Sequence, residues 1–297
     1  MCVVAAKWFA DLGWVGVKNR DRNYRPKVRI KKNFRNRLEK LYMWDEDTRY
    51  AEGLNQHGVA ILSAAVMVKK DEEEGFETDS HSDFYSPDGR KIRRALEEKT
   101  VEQALQSCID SQLPGNTIIF DRNTCYLLEG SFRDAKHTDY VHKSRRIPRT
   151  EVALRTNHGI WLPWAGFQNN PKNSQETQDR MSSRARLLQA QQVVRDARTP
   201  QDLVDGMCQI NIPNPQLNIM RYSTEPKKFR TTSQQLCVPR ERTLYCRPVS
   251  SHIEFDFWRL NRPDTNVWVE ILSNRLLWQK NRGEKPFSHM HLGDSGK

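Results

Sequence analysis

The chain has 297 residues, 37% of them hydrophobic, which suffices to bury a core as one large or two small domains and excludes a disordered tail. Its formal net charge of +11 favours an anionic partner, whether nucleic acid, a charged surface or an anionic substrate, without choosing among them. No stretch approaches the roughly 18 consecutive apolar residues of a membrane span, Lys7 and Asp11 interrupt any secretory signal, and six scattered cysteines form no CxxC pair, so a soluble protein of the reducing cytoplasm is expected.

Residues 3–9 and 14–18 are short apolar runs joined at Asp11-Leu12-Gly13, a predicted hairpin that sets residue 2 at the start of a strand. A basic stretch, 18–40, follows, interleaved with Tyr24, Phe34 and Tyr42. It reads first as a solvated face and second as a surface for phosphates, either of nucleic acid or of an anionic substrate. Residues 48–54 and 59–68 make a second hairpin around Asn55-Gln56-His57-Gly58, where Asn and Gly tolerate the positive φ of a tight turn. Both hairpins suit a central antiparallel sheet. Residues 69–90 are charged and punctuated by Gly and Pro, the composition of a loop or mobile lid.

Apolar residues at Ile92, Ala95 and Leu96 predict a helix over 91–98, and Thr100, with Gln103 three residues later, caps a second one. Strands return at 117–120 and 125–129 around Asp121-Arg122-Asn123. Leu187, Leu188, Ala190 and Val194 predict a helix over 181–195, and Thr199-Pro200 begins another. Short β-rich runs at 234–238, 243–246, 252–258 and 267–272 complete a layered α+β domain over 2–280, with a loose tail over 281–297. His289 and His291 in that tail read as solvent-exposed side chains; no metal and no cofactor is expected.

Cys2 carries the most chemistry. A small side chain after the initiator lets Met1 be trimmed, leaving a free α-amine beside a thiol, so that one residue holds both nucleophile and base. The amine's ordinary pKa, about 7.7 to 8.0, leaves a neutral fraction able to take the thiol proton. Position 2 alone argues little, since a buried structural cysteine is the common case.

The residues around it argue more. Met1-Cys2, a strand hairpin and then Lys18-Asn19-Arg20-Asp21 together resemble the opening of the choloylglycine hydrolase and penicillin V acylase family, with its acyl-CoA:isopenicillin N acyltransferase relatives. The segment from Gly53 through Asn55 to Gly58, then Thr156-Asn157-His158, then Ser182-Ser183-Arg184 resemble further family segments in the same order. The resemblance implies the N-terminal-nucleophile (Ntn) hydrolase fold, an αββα sandwich. It also implies cleavage of a linear amide of a small N-acyl compound, or transfer of its acyl group to an amine. Asp21 is then expected to contact the nucleophile's amine and thiol, and Asn55 and Asn157 to supply NH groups to the oxyanion. Lys18 stands where the family has arginine and lacks the planar guanidinium fork. Arg20 is a substitute for it, expected on the other face of the strand. Trp161 is a candidate wall of an acyl pocket, though core is the commoner use of such an aromatic, and His158 a candidate polarising group. A homo-oligomer is compatible with this reading, and a non-catalytic nucleic-acid-binding protein is the competing one.

Overall fold

In the computed structural model the first hairpin forms around Gly13, whose φ of +77° no β-branched residue would tolerate. The residues described are 2–24, 26–35, 38–66, 88–134, 137–166, 174–221, 223, 229–248 and 288–291. β1 (Cys2–Phe9) and β2 (Gly13–Arg22) pair antiparallel, with Cys2 opposite Arg20. The basic stretch then makes a hairpin of its own, β3 (Val28–Arg35) and β4 (Leu38–Asp45). β5 (Ala51–Asn55) and β6 (Ala60–Ala64) form the next one. α1 (Asp88–Ala95) begins three residues before the predicted start, and α2 (Val101–Asp110) is capped by Thr100, whose hydroxyl accepts from the Gln103 amide at 3.2 Å.

β7 (Gly115–Phe120) and β8 (Cys125–Phe132) turn on Asp121, whose carboxylate takes the Asn123 and Thr124 amides. β9 (Tyr140–Arg146) and β10 (Ala153–Arg155) follow. α3 (Ser174–Asp196) and α4 (Pro200–Gly206) come next, the second opened by a capping box between Thr199 and Asp202. β11 (Arg230–Val238) and β12 (Thr243–Pro248) extend the first sheet, and β13 (Ser288–His291) pairs with β12. Ser288–His291 therefore departs from the loose tail expected over 281–297, because β12 offers it an open edge. The strands expected at 252–258 and 267–272 lie outside the described residues, as does most of the loop expected over 69–90.

The strands make two antiparallel sheets, ordered β10-β1-β2-β11-β12-β13 and β3-β4-β5-β6-β7-β8-β9. The two hairpins expected in one central sheet thus divide between two. Period-two alternation sorts each strand's side chains into layers. Val3, Ala5, Val15 and Val17 pack under α3 and α4 with Ala190, Val194, Leu203 and Val204. Ile61, Ile119 and Leu128 pack under α1 and α2 with Ile92, Leu96, Val101 and Ala104. Between the sheets lie Val4, Ala6, Trp14, Leu41, Leu54, Leu62, Ile118 and Phe120, with Cys2 among them. The order is helix, sheet, sheet, helix: the αββα sandwich. No helix among the described residues is long and apolar enough to cross a membrane.

Candidate active site

The start of β1 places the Cys2 thiol on the inner face of its sheet, 3% exposed. β2 runs beside it, and the residues on the matching face are basic at every second position: Lys18, Arg20 and Arg22. Lys18 and Arg20 share that face, both meeting Glu52 and both lying about 5 Å over the Tyr50 ring, at 5.1 and 5.0 Å. Two residues apart on a strand is one full pleat, so the expectation that Arg20 would point to the other face is corrected. Arg20 is also wholly buried and paired with Asp45 at 2.5 Å.

Lys18 is held by the Glu52 carboxylate and by the Ser63 carbonyl at 2.5 Å. Glu52 also accepts from the Ser63 amide at 3.0 Å and from Gln235 at 3.4 Å. Burial lowers the Lys18 ammonium from its ordinary value, against support from Glu52 and the Cys2 thiolate. For Cys2 the balance goes the other way. Burial pushes its thiol up, yet neighbouring positive charge, Lys18 foremost and Arg22 with it, brings it down to about 7, with Asp21 opposing them. Burial alone drives Cys108 up to about 12. The basic row, then, sets the Cys2 thiol well below the Cys108 thiol, which burial alone governs.

Lys18→Met should therefore move the midpoint of Cys2 alkylation upward from about 7, because a neutral neighbour no longer favours the thiolate. A pH–rate profile of iodoacetamide labelling, read by intact mass, measures it. An unmoved midpoint would show that Lys18 does not set the thiol.

Asn157 follows β10 at the edge of the same sheet. Its side-chain oxygen accepts from the Cys2 main-chain nitrogen, and its Nδ2 donates to the Ala65 carbonyl. Its own amide is tied to the Ser183 hydroxyl at 3.1 Å. The side chain therefore bridges the two sheets at Cys2. Asn55 is used differently. Its Nδ2 donates to the Leu96 and Glu98 carbonyls at 3.0 and 2.7 Å, and its Oδ1 accepts the His57 and Val59 amides. Both NH₂ hydrogens are spent on the carbonyls that follow α1, so the expected gift of an NH to an oxyanion is corrected: Asn55 ties a turn to a helix end.

Asp21 lies on the helix-facing side of β2. Its carboxylate accepts from Thr231 at 2.8 Å and pairs with Arg186 at 2.7 Å and Arg221 at 4.0 Å. Arg186 is fully buried on the stripe of α3 that carries Ser182, Ser183, Ala190 and Val194, whereas Arg184 of the Ser182-Ser183-Arg184 segment faces solvent. The His158 ring bonds the Thr156 and Ser183 hydroxyls at 3.0 and 2.9 Å. Burial, together with Arg184, Arg180 and Arg155, holds its pKa down at about 4, so at neutral pH it is an uncharged structural link. Trp161 packs at the edge of the inter-sheet core under Arg155, 4.3 Å from its ring. Of the stretch 18–40, Lys40 is interior like Lys18 and Arg20, whereas Arg29 is exposed and ion-paired with Glu46 at 2.8 Å.

Sequence reasoning passed over Glu52, Arg22 and Arg186. A lone carboxylate inside the apolar strand AEGLN, the Lys18-Arg20-Arg22 alternation and the helical spacing of Arg186 were the available signals.

No family model matches the sequence, and no curated protein matches it. Among solved structures, the conjugated bile acid hydrolase of Clostridium perfringens (mutant C2A) is 14% identical over 84% of this chain and 89% of its own, with a TM-score of 0.49. Penicillin V acylase of Agrobacterium tumefaciens is 10% identical over 84% of each chain, with a TM-score of 0.46. A Caenorhabditis elegans ortholog of N-acylethanolamine-hydrolyzing acid amidase is 12% identical over 80% of this chain and 93% of its own, with a TM-score of 0.44.

Proposed function

We propose that this protein is an Ntn cysteine amidohydrolase that cleaves a linear amide of an N-acyl compound, with Cys2 as nucleophile once Met1 is removed. The observation that carries the reading is positional: the Cys2 thiol lies buried at the start of β1 where the Lys18 charge lowers its pKa, and the main-chain nitrogen of the same residue donates to Asn157. The resemblance of the Cys2, Asp21 and Asn157 segments to the choloylglycine hydrolase family supports it as well.

In the proposed reaction the freed α-amine takes the thiol proton, and the thiolate attacks the amide carbon. The carbonyl π pair moves to oxygen. As the tetrahedral intermediate collapses, the ammonium of Cys2 returns its proton to the departing nitrogen, the C–N bond breaks, and an amine leaves behind a thioester. Water, giving a proton to the amine, adds to the thioester; the C–S bond breaks, releasing the carboxylic acid and restoring the thiol. An amine acceptor in place of water would make the same enzyme an acyltransferase, and dependence of thioester breakdown on added amine distinguishes the two. A reducing compartment such as the cytoplasm suits a thiol nucleophile, and no disulfide joins the cysteines of the described residues.

Asn157 has one NH of its amide on Ala65 and a second for the oxyanion. Asn157→Ala should slow acylation about 100- to 1000-fold, the usual cost of losing one such donor. The test is the intact mass of the protein, before and after an activated N-acyl amide, for wild type and variant. Loss of Met1 with slow acylation of the variant supports the reading. Retention of Met1, or equal acylation of both proteins, overturns it.

A further inference from the structure

Among the described residues, β9 ends the seven-stranded sheet and pairs with β8 alone. From His142 to Arg146 every residue is exposed, so among the described residues neither helix layer nor the opposite sheet covers this part of the strand. Lys143 stands opposite Glu129 and Arg145 opposite Leu127, which puts the two cations on the side of the sheet that faces its partner. On that side the chain after Asn157 returns and is pinned. The amides of Ile160, Trp161 and Leu162 all donate to the buried Glu129 carboxylate, at 2.9, 3.2 and 2.7 Å. Glu129 thereby fixes Trp161 against β9. His142, Lys143, Ser144, Arg145 and Trp161 line one open cleft of about 410 Å³.

Cations on an edge strand commonly serve to prevent strand addition. That role asks for charge alone, and neither an aromatic wall nor a buried carboxylate spent on holding it contributes to it. The cleft has the size of small-ligand sites, roughly 300–1,000 Å³. Its chemistry is cationic on one wall and aromatic on the other, which matches a ligand with an anionic and a planar part.

We infer that this cleft binds a nucleotide, with phosphate on Lys143 and Arg145 and the base against Trp161. Arg145 also meets Glu151 at 2.7 Å, with both side chains about half exposed, so a phosphate competes for Arg145 with a weak surface pair. The inference rests on β9 and Trp161, none of whose residues the thiol chemistry proposed above uses, and stands whether or not that reading holds. A nucleotide can arrive free or as a unit of a single strand, and the two sources share these contacts.

The test is calorimetric titration of the full chain with ATP, with a thymidine oligonucleotide and with pyrophosphate, at 50 and 200 mM salt. ATP or the oligonucleotide should bind, more weakly at the higher salt. Lys143→Ala/Arg145→Ala should weaken binding at least about 10-fold, as loss of charged contacts to phosphate does. Trp161→Ala should weaken it about 5- to 150-fold, Trp161→Phe less, and neither should affect pyrophosphate. ATP binding identifies a free nucleotide, and binding of the oligonucleotide alone identifies a strand. No binding of either at 50 mM salt overturns the inference. So does binding that is indifferent to the Lys143/Arg145 pair, or to both Trp161 variants.

Discussion

Cys2→Ala is expected to reduce amide turnover by at least about 1,000-fold, because removal of a covalent nucleophile leaves only binding and oxyanion contacts to act. The alanine variant should keep its fold. The residue sits at the beginning of β1, its side chain is small, and its main-chain nitrogen still meets Asn157. Labelling by a thiol-reactive acyl probe should vanish from the N-terminal peptide, since burial leaves Cys108, Cys125, Cys237 and Cys246 protonated well above neutral pH. Turnover of a panel of N-acyl amides, with peptide-level mass spectrometry of the probe adduct, checks both statements. A variant that hydrolyses as fast as wild type would remove Cys2 from the chemistry and leave the basic row beside it unexplained.

Glu52→Gln is expected to carry the largest stability penalty of any single charge removal considered. The carboxylate is wholly buried and is shared by Lys18, the Ser63 amide, Arg20 at 3.4 Å and Gln235 at 3.4 Å. Arg20 retains Asp45 in the variant, but Lys18 keeps no carboxylate, only the neutral Ser63 carbonyl and the Tyr50 ring. Breaking one side of a buried ion pair costs about 3–5 kcal/mol, because the remaining charge stays desolvated. At roughly 2–4 °C per kcal/mol for a chain of this size, the melting temperature should fall on the order of 10 °C.

The same substitution should act on the thiol. Glu52 is the main support of the Lys18 ammonium against burial, so without it Lys18 falls further and loses its proton more readily. A neutral Lys18 no longer favours the Cys2 thiolate, and the labelling midpoint should climb above about 7. A melting curve and a labelling pH profile on one sample separate the two consequences. Lower stability with an unchanged midpoint would make Glu52 a structural counter-ion only.

Local signals in the sequence located most elements correctly. Gly13 and Gly58 adopt the positive φ their turns require, at +77° and +81°, and Thr100 and Thr199 cap the helices they precede. β9 and β10 escaped notice because YVHKSRR lacks apolar alternation and ALR is too short to show any. β3 and β4 were read through their charge, which hid the alternation of Leu41 and Met43 with their neighbours.

Roles were harder to read than elements. Asn55 and Asn157 look alike as residues of short motifs. One spends its amide on the chain after α1 and the other meets Cys2, a difference made by partners 41 to 155 positions away. Lys18, Arg20 and Lys40 looked like surface and are interior, since Glu52, Asp45 and Glu97 supply the charges that let them be buried. By itself, the sequence determined the hairpins around Gly13, Gly58 and Asp121, the caps, the layered α+β class and the position of a thiol at the start of a strand, all of which depend on neighbours a few residues apart. Only the tertiary structure decided which charges lie inside, which asparagine meets Cys2 and which basic strand faces solvent. Those outcomes depend on pairing across the two sheets, and the energy of a buried charge is set by the partner that meets it, not by the residues beside it in the chain.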